Sequence, residues 1–177
     1  MSKVYGDALF AAAKDLAVID QAYEEVTALR DIFAENMDLR KILNSPKISR
    51  EEKAQIIHTI FEHQVSDMLM GFLITVVNKG RQAEFERIFS YFISIVKEYK
   101  GIGVASVVSA MPLTKLQEEE IEKKLLATTE YNQMEMNYSV DESLIGGMTI
   151  RIKDRVIDSS IKTKLYNIKK NLLNVQI

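Results

Sequence analysis

The feature that most constrains this chain is a change of hydrophobic period near Gly101-Ile102-Gly103. Before it, apolar residues recur every three to four positions; after it, a stretch alternates apolar and polar. The first rhythm belongs to helices buried on one face and the second to half-buried strands. A chain that switches once is expected to build a helical part and then a mixed part.

In the first part, Val4, Ala8, Leu9, Ala12 and Leu16 set out a short amphipathic helix, with Leu9, Ala13 and Leu16 turned inward. A second is expected over Ile19 to Glu35, burying Tyr23, Val26, Leu29 (or Arg30), Ile32 and Phe33. A third over Met37 to Leu43 ends ahead of Asn44-Ser45-Pro46, since proline disfavours helical geometry in the residue before it. Ser49 and Glu52 have capping-box spacing and open a fourth helix carrying Ile56, Ile57, Ile60 and Phe61. Ser66 or Asp67 starts a fifth, stopped at Lys79-Gly80. A sixth carries Phe85, Ile88, Phe89, Phe92, Val96 and Tyr99 and ends on Gly101. Short connections make residues 1–100 a six-helix bundle.

Residues 101–177 read as a small α+β domain of about seventy residues, near the lower limit for independent stability. Val104 to Met111 is β-branched and predicts a strand. Thr114 and Gln117 repeat the capping-box spacing and open a helix through Leu116, Ile121, Leu125 and Leu126. Met134, Met136, Tyr138 and Val140 predict a second strand. Ile145 to Ile152 predicts a third, turned by Asp154-Arg155 into Val156-Ile157. Asp158 is the expected N-cap of a last helix through Ile161, Leu165, Ile168 and Leu172. With seven basic residues against four acidic, residues 141–177 are the basic part of the chain, giving either a solvated helix surface or a docking face.

The residues argue against chemistry. A net charge of -2 without a basic stripe gives no purchase on nucleic acid. The chain has no cysteine, which removes disulfides, thiolate metal sites and thiol nucleophiles. His58 and His63, the two histidines, are five apart on a predicted helix, about 140° around its axis, which is wrong for a shared metal. Gly101-Ile102-Gly103 lacks the third glycine of a dinucleotide fingerprint, and no phosphate-cradling Gly-Lys-Ser/Thr segment occurs. Gly146-Gly147 enters a strand rather than joining strand to helix. Asp141-Glu142 are neighbours in an extended segment, so their carboxylates point apart. No catalytic, cofactor or metal site and no small-molecule substrate is expected. Met1 to Lys14 lacks the basic and apolar regions of an export signal. The longest apolar run, Met68 to Val77, is about half a bilayer span. Membrane association is expected only through partners.

One segment narrows the reading further. Val140-Asp141-Glu142-Ser143-Leu144-Ile145-Gly146-Gly147-Met148-Thr149-Ile150-Arg151-Ile152, continued by Asp154-Arg155-Val156-Ile157-Asp158-Ser159-Ser160-Ile161, resembles the signature of the delta subunits of rotary F-type ATP synthases, the oligomycin-sensitivity-conferring protein family. Tyr5-Gly6-Asp7-Ala8-Leu9-Phe10 is similar to the family's opening helix. Asn44-Ser45-Pro46-Lys47-Ile48, Asn78-Lys79-Gly80-Arg81 and Ser109-Ala110-Met111-Pro112-Leu113-Thr114 match further landmarks in order. Gly6 and Lys79 depart from the more usual alanine and asparagine. An unrelated helical adaptor would share the composition but not these motifs.

The resemblance implies a non-catalytic stator subunit. Its six-helix N-terminal domain would sit on the alpha/beta head and its C-terminal domain would grip the peripheral stalk b subunits, so that rotation is coupled to proton-driven ATP synthesis. The expected place is the cytoplasmic face of the cell membrane, within the complex. The resemblance also implies that the N-terminal helix of the alpha subunit lies between the first and fifth helices. There Tyr5, Ala8 and Ala12 form one small-residue stripe and Met68, Gly71 and Thr75 another. Asp141, Gly146, Gly147 and Asp158 are the structural signature.

Overall fold

A computed structural model describes residues 2–174, with the side chains of 171–174, Leu172 among them, outside the described residues. The chain divides into two compact units, Met1–Tyr99 and Lys100–Ile177.

Six α-helices occupy the first unit among the described residues: α1 (Ser2–Asp15), α2 (Ile19–Glu35), α3 (Met37–Asn44), α4 (Arg50–Phe61), α5 (Asp67–Asn78) and α6 (Phe85–Tyr99), with a 3-10 turn at Gln82–Glu84. They share one apolar core. Phe33, Phe61, Phe85 and Phe89 pack ring against ring within it, stacked, tilted or edge-on, with ring centroids 5.2–6.0 Å apart. Burying a side chain of this kind stabilises the fold by about 1.5–3 kcal/mol. The helix boundaries follow local chemistry. Ser49 and Glu52 close a reciprocal capping box at the start of α4. Ser45 is extended ahead of Pro46. Gly80, at φ +67°, ends α5 in a Schellman motif, its amide bonding the Val77 carbonyl while that of Arg81 bonds Val76.

Several expectations about this unit fail in instructive ways. Leu16 is 60% exposed, because α1 has already ended at Asp15 and its inward stripe is Gly6, Leu9 and Ala13. Gly6 is buried because it lies against Tyr91, where an added Cβ would stand 2.5 Å from the ring. Ile60 is 40% exposed and Ile56 half-buried, so α4 buries only Ile57 and Phe61 of its four expected residues. Tyr99 is exposed at the end of α6.

The second unit holds a four-stranded sheet in the order β2-β1-β3-β4. Its strands are β1 (Ile102–Ser109), β2 (Gln133–Val140), β3 (Met148–Ile152) and β4 (Arg155–Asp158); α7 (Lys115–Thr128) lies between β1 and β2, and α8 (Ile161–Asn174) follows β4. β1 runs parallel to β2, with α7 as the crossover that such a pair requires, and antiparallel to β3. Ala105 and Val107 of β1, Ile121 and Leu125 of α7 and Met134 of β2 form the core. Thr114 and Gln117 make the expected capping box on α7.

Here too the boundaries move. β1 starts directly after Gly101, whose φ of +70° ends α6, and stops before Met111. The third strand begins at Met148 rather than Ile145, because Glu142–Leu144 form a 3-10 turn and Ile145 sits at φ +67°, outside strand geometry. Its hairpin turns on Lys153-Asp154, Lys153 taking the positive φ, and Arg155 already pairs with Ile152. Asp158 is the last residue of β4, not the helix cap. Ser160 does the capping: its hydroxyl accepts the Thr163 amide at 3.2 Å.

Candidate functional site

The two stripes read from the sequence lie on helices that pack against each other, α1 and α5. On α1, with Gly6, Leu9 and Ala13 inward, Ala8 is left exposed and Tyr5 and Ala12 half-buried. On α5, Leu69, Leu73, Val76 and Val77 are fully buried. Phe72 is only half-buried against that core, as is Met68. Gly71 and Thr75 are exposed. The Thr75 hydroxyl donates to the Gly71 carbonyl at 2.8 Å, turning its polar atom back onto the helix. A Cβ added at Gly71 would meet nothing within 4 Å.

Both helices are tied down by their neighbours. The start of α5 is held from α2: the amide and hydroxyl of Ser66 both donate to the Glu25 carboxylate, at 3.0 and 2.8 Å. Its end is held from α4, where the Arg50 guanidinium donates to the Asn78 carbonyl at 3.1 Å. α1 is held from α6: the Tyr91 hydroxyl donates to Asp7 at 3.1 Å, and Phe10 meets Tyr99 edge-on at 5.5 Å. The Tyr91 hydroxyl titrates above its ordinary value, first through desolvation, then through its bond to Asp7 and the charge there.

The signature residues gather at the base of α8. The Asp141 carboxylate accepts the Ser143 amide at 2.9 Å, and its pKa is lowered by its hydrogen bonds with Ser143, with a smaller attraction from Lys162. A Cβ on Gly146 would stand 2.5 Å from the end of the Ile161 side chain. One on Gly147, at φ +79°, would stand 2.5 Å from the Ser159 carbonyl oxygen. The Gly146 carbonyl accepts the Ile161 amide at 2.9 Å. Asp158 accepts from Ser160 and Thr163, and these bonds hold its carboxyl down at about 2.

Other features lie outside the two stripes and the signature. His63 lies beyond the end of α4, at φ +67°, so it does not share a helix with His58, which faces Glu62 at 3.8 Å. Among the described residues no group of three or more His, Asp or Glu is placed to hold a metal, and no helix is long and apolar enough to cross a membrane. Ile56 and Ile60 line an open groove of about 680 Å³ with Ile48, Glu52 and Gln55. The larger surprise is α8. From Ile161 to Lys170 every side chain except Thr163 is exposed, including Leu165, Tyr166 and Ile168. The apolar spacing of this helix was legible in the sequence; that its stripe stays exposed over the described side chains was not.

A family model described as ATP synthase delta (OSCP) subunit matches residues 1–172. The chain belongs to this family. It is 49% identical over 177 residues to ATP synthase subunit delta of Lachnoclostridium phytofermentans, covering 100% of this chain and 97% of that one. Identity to ATP synthase subunit delta of Trichormus variabilis is 32% over 174 residues, covering 98% and 94%. In fold it is similar to a chain of the Toxoplasma gondii mitochondrial ATP synthase hexamer, at TM-score 0.77, 21% identity and coverage of 98% and 97%. The family is a structural, non-catalytic part of the synthase that links the catalytic head to the peripheral stalk. The arrangement seen here is a packed helix pair with a small-residue face in the first unit and an amphipathic helix with an exposed stripe in the second.

Proposed function

We propose that the two units divide the linking task. The first, a six-helix bundle, docks on the catalytic head by holding the amphipathic N-terminal helix of the alpha subunit between α1 and α5. The second binds the b subunits of the peripheral stalk through α8. The chain then sits peripherally at the cytoplasmic face of the membrane, attached through the complex, and restrains the head against rotation.

Gly71 carries the reading of the first unit. Glycine in mid-helix costs about 1 kcal/mol relative to alanine, and here no neighbour in the chain occupies the space its missing side chain leaves. A second helix approaching that face would use the gap, with Ala8 and Ala12 opposite it and Tyr5 as an aromatic anchor. For the second unit, Ile161, Leu165 and Ile168 recur at i, i+4 and i+7 as one exposed stripe, which is the pattern of a helix that pairs with another.

The test uses a peptide of the alpha-subunit N-terminal helix and calorimetry on the full chain. Ala8→Arg and Gly71→Arg each place a charge in the groove, where an unpaired buried charge costs several kcal/mol, so affinity is expected to fall by at least about a hundredfold. Gly71→Ala should make the free chain more stable by about 0.5–1 kcal/mol while weakening the peptide. Unchanged affinity in both folded arginine variants would rule out this groove.

A further inference from the structure

α8 poses a mechanical problem. From Ile161 to Lys170 every side chain but Thr163 is exposed, so beyond the approach of Ile161 to Gly146 the described residues give it no packed face to fix its direction. What holds it lies at its base. The Ile161 amide donates to Gly146, and the Lys162 ammonium approaches the Ser143 hydroxyl at 3.5 Å, but both partners belong to the loop before β3 rather than to the sheet. Asp158 is different. It ends β4 opposite Thr149 of β3, in register, and its carboxylate collects donors from three places. The Thr149 hydroxyl reaches it from the sheet at 3.4 Å, the Ser160 amide from the connecting residues at 2.9 Å, and the Thr163 hydroxyl from the first turn of α8 at 2.7 Å.

We propose that Asp158 is a positioning residue: it sets the direction in which α8 leaves the sheet and so presents the stripe Ile161, Leu165 and Ile168 to the stalk. The inference rests on the reading of the second unit as the stalk-binding one. A carboxylate suits the task because it offers acceptor sites to all three donors at once, and charge-assisted bonds are the stronger kind. The same hydrogen bonds favour the ionised form, holding its carboxyl at about 2. Gly147 makes the arrangement reachable, since only a residue without a side chain lets the backbone of Ser159 come this close. An interface helix held in its bound direction has less freedom to lose on association, which strengthens binding without any new contact.

The chain has no cysteine, so two can be introduced cleanly for spin labels, at exposed Ser106 on β1 and exposed Lys169 on α8. The parent should give one narrow distance distribution. Asp158→Ala should broaden it, and so should Thr163→Val, which removes one donor but leaves the charge and protects the test should the alanine variant fail to fold. Asp158→Asn, whose single amide oxygen can serve only part of the donor set, should broaden it to an intermediate degree. Affinity for the soluble part of the b dimer should fall about tenfold in the alanine and valine variants, with the asparagine variant between the alanine variant and the parent. Unchanged distances in folded Asp158→Ala and Thr163→Val would overturn the proposal. So would broadened distances with undiminished stalk affinity. If the parent itself fails to bind the b dimer, the stalk-binding reading falls, and the distances alone decide whether Asp158 directs the helix.

Discussion

Ala17 shows how much a single backbone angle can carry. It occupies the position after the cap of α1 at φ +56°, and the amides of Ala17 and Val18 bond back to Lys14 and Ala13, the pattern that Gly80 makes at the end of α5. An L-residue is disfavoured in that conformation and glycine is not. Ala17→Gly should therefore stabilise the first unit by about 0.5–1 kcal/mol in denaturant unfolding, after allowing for the freer unfolded chain. Asp158 yields a second expectation. Its folded-state pKa is depressed, so its contribution is fully present above the ordinary carboxyl value of 3.8 and is lost as pH falls through about 2. Carboxyl NMR should place its midpoint near 2, with the Thr163 signals moving in step; a midpoint at the ordinary value would mean the three-donor arrangement is absent. Sequence could name Asp158 as important but misassigned its work. Asp158-Ser159-Ser160 offers three capping residues in a row, and only the path of the strand decides that Ser160 caps and Asp158 braces. Ile145 misled for a similar reason: its β-branched side chain favours a strand, while the preceding 3-10 turn forces φ to +67°.

Among the elements, helices were the more legible, because a 3.6-residue period and two capping boxes mark both face and start. What the period cannot distinguish is a face buried against the same chain from one left for another. Leu16 therefore has the spacing of a core residue without being one, and α8 has the spacing of any other amphipathic helix. Close packing between elements was equally hidden. Gly6 reads as a small residue of no consequence, yet it is the point where α1 settles onto the Tyr91 ring of α6. Gly6→Ala raises helix propensity by about 1 kcal/mol. It should nevertheless lower stability by about 1–2 kcal/mol net, because the added methyl displaces Tyr91 and its bond to Asp7. A thermal melt that rises in this variant would mean that the ring swings aside freely. The same variant would report on the candidate groove, since α1 forms one of its walls.

At the scale of the molecule, each unit has its own apolar core, but the cores are unequal. Nineteen buried apolar residues form the first and five the second, among the described residues. A fragment ending at residue 100 should keep its helical circular dichroism and unfold cooperatively, with a midpoint close to that of the first unit in the full chain. The second unit should melt earlier, and b-subunit binding should raise its midpoint; a single transition shared by both units would show them to be thermodynamically inseparable. Strand β1 imposes a further asymmetry, this time on when each unit can form. It is flanked by β2, whose first partner to Ile102 is Gln133, and by β3, which begins only at Met148. During translation the first unit's helices need contacts within residues already made, whereas β1 emerges with both its edges open and must wait through the synthesis of α7 and β2 before β3 can close its other side. Non-local pairing of this sort is the slow step of folding, and an unpaired strand such as Val104 to Val108 is what chaperones and neighbouring nascent chains meet first. On the ribosome this protein is therefore a finished helical unit trailing an unfinished sheet, and its yield in the cell should respond more to substitutions in the β1 to β3 span than their effect on equilibrium stability would suggest.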